Sequence, residues 1–127
     1  MHWANKYIGK PWAKGQFGPN AFNCFGLVHD IYQNKYNIKM PILLIPEDNS
    51  SAIKIVLNHH PERSRFYEVK QPKEGDIVIM NDSHCGIVIN PSRIGVLHSY
   101  RPYGGVVFQE IFKCALFWDM TFLRRDR

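Results

Sequence analysis

The sequence predicts an α+β fold in which an N-terminal helix packs on a curled antiparallel sheet of about five strands, with a second short helix. Three observations indicate this fold. A helix-forming segment lies in the first half of the chain. Short β-branched and aromatic segments separated by turn residues fill the second half, an order that is typical of α+β proteins. The length of 127 residues suits a single domain, 1–127, with one hydrophobic core.

The first helix is predicted to begin beside Cys24, in the segment FNCFGLVHDIY. Residues 5–20 contain glycines and prolines that break any periodicity, so most of this stretch should be loop. Asn20 or Asn23 can cap the helix that follows, which should end at about Lys35. A second, shorter helix is expected over 48–60, capped by the DNSS segment and ended by HHPERS.

The segments after residue 66 are short and rich in β-branched or aromatic residues, a composition that is typical of β-strands. Turn signals separate them, namely PKEG, NDS, NPSR and PYGG. The expected strands are FYEV, DIVIM, CGIVIN, GVLHSY, GVVFQEI and the stretch 115–123. Their short connections predict an antiparallel meander.

The net charge of +5 comes from 16 basic and 11 acidic residues. Such a charge suits an anionic partner such as nucleic acid, an acidic glycan or a membrane surface. The basic residues are scattered, apart from LRRDR at the end, and no nucleic-acid-binding motif accompanies them. A solvated basic surface is therefore favoured, and we expect no nucleic-acid partner.

The N-terminal segment MHWANKYIGKPW lacks the basic-then-apolar layout of a secretory signal. No apolar run reaches the roughly 18 residues that a membrane span needs, so we expect no membrane insertion. The chain is therefore expected to be made in the cytoplasm without a signal peptide. The odd count of three cysteines in such a chain argues against a disulfide framework.

Cys24 is the cysteine whose position has chemical meaning. At the start of a helix, the dipole and the unpaired backbone N–H groups stabilise a thiolate and could hold an oxyanion. Taken alone, this position fits a buried core thiol better than a nucleophile, and a metal ligand is a further alternative. Cys85 and Cys114 are interpreted as core residues, with Cys85 packed against a helix.

A cysteine nucleophile needs a base, which is usually histidine. Four of the six histidines are poor candidates: His2 in a mobile terminus, His29 on the helix surface, and His59 and His60 in a solvated loop. His84 and His98 lie on two strands joined by a short turn, so their rings could touch and one could orient the other. The alternatives are two unrelated strand histidines, or a zinc site, which is disfavoured because no fourth ligand or CxxC or HxxxH spacing is present.

Five segments, in order and across nearly the whole chain, resemble the NlpC-type cell-wall endopeptidases, a group of papain-like cysteine peptidases. In that family a YxGxPY-like segment precedes DCSGL at a helix start, then GD before a strand, an HVGIY strand and a strand ending in a histidine. The corresponding segments here are YIGKPW at 7–12, NCFGL at 23–27, EGDIVIM at 74–80, HCGIVI at 84–89 and VLHSY at 96–100.

The resemblance is closest to the phage-tail branch of the family, in which an aromatic residue follows the cysteine. NIKMP at 37–41 and LHSYRPYGGVVFQEI also look like that branch. The resemblance implies a phage or prophage protein of the virion tail tip that acts at the cell wall, where other tail proteins would be its partners. The absence of a signal peptide fits that origin.

Carried over by position, the resemblance implies Cys24 as nucleophile, His84 as general base and His98 as the residue that orients His84. The family's tyrosine, aspartate and serine near the nucleophile fall at the positions implied for substrate binding, which are Trp12, Asn23 and Phe25. No metal or other cofactor is implied.

The implied function is hydrolysis of peptidoglycan stem peptides, at the bond between D-glutamate and diaminopimelate, by acyl transfer through Cys24. Two alternatives follow from the departures at Trp12, Asn23 and Phe25. One is a structural tail component with a weak or inactive site. The other is an amidase or acyltransferase that acts on a different substrate.

Overall fold

The computed structural model describes residues 2–40 and 63–125. The helix expected over 48–60, together with His59 and His60, lies outside the described residues. The regular elements, in chain order, are a 3₁₀ turn at Trp3–Lys6, helix α1 at Cys24–Lys35, a 3₁₀ turn at Arg63–Arg65, strand β1 at Phe66–Val69, β2 at Ile77–Met80, β3 at His84–Ile89, β4 at Gly95–Tyr100, a 3₁₀ turn at Arg101–Tyr103, β5 at Gly105–Glu110, helix α2 at Ile111–Cys114 and β6 at Met120–Arg125.

The predicted α+β class is confirmed, since helix α1 packs on one antiparallel sheet and α2 supplies a second short helix. The sheet has six described strands in the order β1-β6-β2-β3-β4-β5. It is therefore not the simple meander that was expected, because β6 lies between β1 and β2. Inserted there, β6 satisfies the backbone hydrogen bonds of two strand edges at once.

The predicted strand at 115–123 begins later than expected, at Met120. The N–H groups of Ala115, Leu116 and Phe117 donate to carbonyls of α2, so these residues continue the turn of the helix. This turn redirects the chain, and β6 then runs antiparallel to both of its neighbours.

Helix α1 begins as the sequence predicts. Asn23 is the N-cap, and its side-chain oxygen accepts a hydrogen bond of 2.6 Å from the N–H of Gly26. Gly26 allows the preceding loop to pack tightly, because a Cβ atom there would lie 2.3 Å from the carbonyl oxygen of Gln16. The cap and the glycine together fix Cys24 as the first residue of the helix.

The core lies on both faces of the sheet. The larger cluster joins the buried side of α1 to residues of the sheet such as Cys85 and Ile87, while the smaller one surrounds Cys114 on β2, β4 and α2. Burial of Cys85 beneath α1 and of Cys114 in the core confirms the structural interpretation of both thiols.

The GD segment before β2 has a structural role. Asp76 is buried, accepts a hydrogen bond of 2.7 Å from the N–H of Lys73, and pairs with Arg124 of β6 at 2.8 Å. The hydroxyl of Tyr32 on α1 donates to the carbonyl of Gly75 at 2.6 Å. These contacts tie the turn before β2 to both the helix and the inserted strand.

Two expectations about histidines are wrong. His29 is only 9% exposed, because its ring packs edge-on against Phe17 instead of facing solvent. His2 is held in place: its Nδ1 accepts from the N–H of Ala4, and its Nε2 lies 2.5 Å from a carboxylate oxygen of Glu74.

Candidate active site

A cleft of about 190 Å³ opens where the start of α1 meets the ends of β3 and β4. The loop before α1 is tied to the sheet here, because the buried hydroxyl of Ser99 donates to the carbonyl of Phe22 at 2.7 Å. The residues that line the cleft are Trp12, Cys24, Ser83, His84, Ser99, Tyr100, Arg101 and Pro102.

Cys24 lies in this cleft and is 8% exposed. A hydrogen bond with the Cys85 thiol, followed by a hydrogen bond with His84 and the charge of that imidazole, holds the pKa of Cys24 well below its ordinary value, although burial acts in the opposite direction. The helix start favours the anion as well. Cys24 therefore has the surroundings of a reactive thiolate.

Cys85 lies next to Cys24, a contact that the sequence did not predict. The hydrogen bond with Cys24, together with burial and the charge of the Cys24 thiolate, raises the pKa of Cys85 well above its ordinary value. Cys85 therefore stays protonated and can donate to its neighbour. The two thiols have different roles because only Cys24 faces both the cleft and His84.

His84 and His98 touch, as the hairpin predicted: Nε2 of His84 lies 2.7 Å from Nδ1 of His98. The pairing between β3 and β4 places His98 diagonal to His84, not directly opposite it. On the far side of His98, its Nε2 lies 2.8 Å from the side-chain oxygen of Gln109 on β5. Three side chains on three adjacent strands thus form one hydrogen-bonded line that ends at the cleft.

Gly86 makes the diagonal contact between the two histidines feasible. A Cβ atom at this position would lie 2.8 Å from both the Cβ of His98 and the carbonyl oxygen of Leu97. Real Cβ atoms do not approach other atoms so closely, so His98 can take this position only because residue 86 has no side chain. The packing of His98 against β3 therefore explains the glycine in HCGIVI.

His98 is fully buried among aromatic rings. Trp118 packs edge-on against it, with ring centroids 5.4 Å apart, and Tyr100 lies at 5.6 Å. Burial, and then the charge of His84, lower the pKa of His98 to about 4, while the hydrogen bond with Gln109 acts in the opposite direction. At neutral pH His98 is therefore uncharged and has one ring nitrogen free to accept a hydrogen bond.

Of the three predicted substrate-binding residues, Trp12 lines the cleft. The guanidinium carbon of Arg101 lies 5.1 Å from the centre of the Trp12 ring, a cation–π distance. This pair places a positive charge and a flat apolar surface together at the mouth of the cleft. No motif in the sequence points to Arg101.

The other two predicted substrate-binding residues, Asn23 and Phe25, are buried and do not line the cleft. The side-chain oxygen of Asn23 faces the first turn of α1, where it caps the helix, and Phe25 packs edge-on against Phe17. Contact of these two residues with a substrate stays a prediction.

One signal in the sequence could have found Gln109. The PYGG turn predicts that β4 and β5 pair as a hairpin, and residues two apart on a strand share a face. With the observed register, Val107 is opposite His98, so Gln109 lies on the face of His98. No comparable signal exists for Cys85, since its contact with Cys24 joins a strand to a helix 61 positions earlier.

In the described parts of the chain, no group of three His, Cys, Asp or Glu side chains is arranged to hold a metal ion. Among residues 2–40 and 63–125, no helix has both the length and the apolar character needed to cross a bilayer.

Helix, sheet and cleft together define the architecture of a papain-like α+β protein. No family model matches the sequence, and no curated protein matches it. Among solved structures, the chain is similar to the crystal structure of the NlpC/p60 domain of the peptidoglycan hydrolase SagA. The two chains are 20% identical with a TM-score of 0.61, and the match covers 94% of this chain and 91% of the SagA domain. The predicted NlpC-type fold is thereby confirmed.

Proposed function

We propose that this protein is a cysteine endopeptidase that hydrolyses peptidoglycan stem peptides. The observation that carries the proposal is the geometry around Cys24, a thiol of lowered pKa that begins a helix in an open cleft and contacts His84, which in turn contacts His98. The fold adds support, because the similar domain of SagA belongs to a peptidoglycan hydrolase.

The chemistry is acyl transfer in two steps. The thiolate of Cys24 attacks an amide carbonyl, forming a C–S bond, while the backbone N–H of Cys24 helps to hold the oxyanion. As the C–N bond breaks, His84 passes to the leaving amine the proton it took from the thiol. Water then attacks the thioester with His84 as base, and the thiolate is released with the new carboxylate.

The proposed target is the bond between D-glutamate and diaminopimelate. Stem peptides carry free carboxylates, and Arg101 beside Trp12 offers them a cation at the mouth of the cleft. The net charge of +5 favours approach to an anionic wall at low ionic strength.

We also propose that the protein is carried on a phage or prophage tail and acts at the cell wall, where other tail proteins are its partners. The motif resemblance supports this location. Mass spectrometry of purified virions, induced from a strain that carries this sequence, tests it: tail fractions should contain the protein. Virions without it would contradict the tail location and leave the hydrolase proposal standing.

The hydrolase is tested by incubating the protein with purified peptidoglycan and with defined stem peptides, and identifying the released fragments by mass spectrometry. Cleavage should generate a new amine on diaminopimelate. Cys24→Ser should abolish cleavage while keeping the wild-type melting temperature. Alkylated wild type serves as the chemical control and should be equally inactive.

Two outcomes point to the alternatives. An inert wild type whose Cys24 has an ordinary pKa would support a structural tail component. A wild type with an activated thiol that cleaves no stem peptide would indicate an amidase or acyltransferase on another substrate.

A further inference from the structure

We propose that Gln109 is a positioning residue of this site: its side-chain oxygen fixes the tautomer of His98 so that His98 accepts a hydrogen bond from His84. The inference rests on the proposed function, since it concerns how the base of that reaction is held. Gln109 does not line the cleft, so it would act through the two histidines and not on the substrate.

The geometry is a line of two hydrogen bonds across β3, β4 and β5. Nε2 of His84 lies 2.7 Å from Nδ1 of His98, and Nε2 of His98 lies 2.8 Å from Oε1 of Gln109. Both ring nitrogens of His98 are therefore engaged, one on each side. A neutral imidazole carries one proton, so its two partners must differ, one accepting and one donating.

Only one arrangement of protons suits a charged His84. When His84 is an imidazolium, its Nε2 carries a proton and must donate to Nδ1 of His98. His98 then holds its own proton on Nε2, which needs an acceptor, and the Gln109 oxygen lies at that position. Nδ1 of His84 is left to exchange a proton with Cys24.

The reverse arrangement would oppose catalysis. If the amide nitrogen of Gln109 faced His98, His98 would carry its proton on Nδ1. Two N–H groups would then face each other whenever His84 was charged. The orientation of the Gln109 amide therefore determines whether the line supports the thiolate–imidazolium pair.

The surroundings make an internal acceptor necessary. His98 is fully buried, with Trp118 and Tyr100 against its ring, so bulk water is not available as a partner. A neutral amide also accepts a hydrogen bond without adding a charge that would draw a second proton to His98. In agreement, the pKa of His98 is about 4, so the ring stays neutral at working pH.

Two measurements test this role without any substrate. The first is nitrogen NMR of the His98 ring, which distinguishes the two tautomers. The second is the rate of iodoacetamide alkylation of Cys24 against pH. The variants are Gln109→Leu, which removes the acceptor, and Gln109→Glu, which keeps it. Gln33→Leu, the same chemical change at an exposed position of α1, is the matched control.

In the wild type, the proton of His98 should be on Nε2. Gln109→Leu should lose this preference and shift the thiolate–thiol equilibrium of Cys24 about two- to tenfold toward the thiol, the range for one lost hydrogen bond. Gln109→Glu should keep a proton on Nε2 of His98 and raise the pKa of His98 above that in the wild type, because the carboxylate adds the charge that the amide lacks. Gln33→Leu should match the wild type. If Gln109→Leu does not fold, Gln109→Met serves in its place.

Three results would overturn the role of Gln109. They are a wild-type proton on Nδ1 of His98, an unchanged alkylation profile in Gln109→Leu, and a His98 ring that titrates alike in Gln109→Glu and Gln109→Leu, which would mean that Gln109 only fills space. Failure of the proposed function looks different. In that case the wild-type thiol itself would titrate as an ordinary cysteine, or an activated thiol would cleave no stem peptide.

Discussion

At the residue scale, the three cysteines show that the pKa of a buried thiol depends on the side chains that it contacts. All three are buried. Burial raises the pKa of Cys114 to about 11, and the hydrogen bond with Cys24 followed by burial raises that of Cys85. The pKa of Cys24 is lowered instead, because the Cys85 thiol and His84 both stabilise its anion.

Replacing His84 should return Cys24 toward an ordinary thiol. His84→Gln removes one hydrogen bond and the positive charge, so the pKa of Cys24 should rise toward about 8.5 and alkylation at pH 6 should slow at least tenfold. Under the proposed function, in which His84 is the general base, hydrolysis should fall by about 10²–10⁴. The measurement is the pH profile of iodoacetamide labelling, with Cys24→Ser to identify the reacting residue.

His2→Gln is the matched control for His84→Gln, because His2 contacts Glu74 and does not line the cleft. Its labelling profile should equal that of the wild type. A His84→Gln profile that overlays the wild type would remove His84 from the site.

The buried, neutral His98 should make stability depend on pH. Its pKa is about 4 in the folded protein and about 6.5 when unfolded, so below pH 6.5 the unfolded chain binds the extra proton. The free energy of unfolding is unaffected by His98 above pH 6.5 and decreases as the pH falls toward 4, where the loss should amount to roughly 3 kcal/mol. Urea unfolding at pH 7 and pH 4 measures it.

In His98→Gln, the free energy of unfolding should decrease less between pH 7 and pH 4, and the difference from the wild type is the contribution of His98. This comparison separates His98 from other titrating groups. Equal losses in the wild type and the variant would mean that His98 is charged in the folded protein.

At the element scale, the site is produced by the register of two hairpins. The β3–β4 and β4–β5 pairings place His84, His98 and Gln109 on one face along a diagonal. Gly86 has no side chain, and this leaves room for the contact between His84 and His98. A one-residue slip of either hairpin would turn one member to the opposite face and break the line.

Gly86→Ala should damage the site more than it damages the fold. Its Cβ would lie 2.8 Å from the Cβ of His98, which is too close, so β3 and β4 must separate locally and the contact between the histidines should lengthen. We expect a stability loss of about 1–3 kcal/mol and at least a tenfold loss of hydrolysis, measured well below the melting temperature.

Val88→Ala is the control for Gly86→Ala, since it weakens the same strand by removing core atoms without inserting anything between the histidines. It should lose stability and keep its activity at low temperature. Full activity in Gly86→Ala would show that the strands tolerate the added atom.

At the scale of the whole molecule, contacts between distant segments hold the helix start against the sheet. Strand β6 returns to lie between β1 and β2, and Arg124 on it pairs with Asp76 in the turn before β2. Tyr32 reaches the same turn from α1. The turn before β2 therefore connects α1 to the sheet. This structural role explains the GD segment without a catalytic one.

Tyr32→Phe should destabilise the whole molecule. It removes a buried hydrogen bond of 2.6 Å and leaves the carbonyl of Gly75 without that donor. The free energy of unfolding should fall by about 1–2 kcal/mol, which lowers the melting temperature by several degrees. Calorimetry measures the change. Tyr103→Phe, at an exposed tyrosine, should have little effect, and equal effects of the two variants would contradict the role of this bond.

The sequence by itself determined the elements that local chemistry controls. Capping, periodicity and turn residues located α1, with Asn20 or Asn23 as its N-cap, most of the strands, and the hairpin that brings His84 to His98. These features depend on neighbouring residues, so they can be read from short segments of the chain.

Only the tertiary structure decided which distant segments meet. It placed β6 inside the sheet, Cys85 beside Cys24 and Gln109 behind His98, and it turned Phe25 into the core. The physical reason is that these contacts join elements far apart in the chain. Their geometry follows from the packing of a helix on a twisted sheet and from competition for strand edges, which no local pattern encodes.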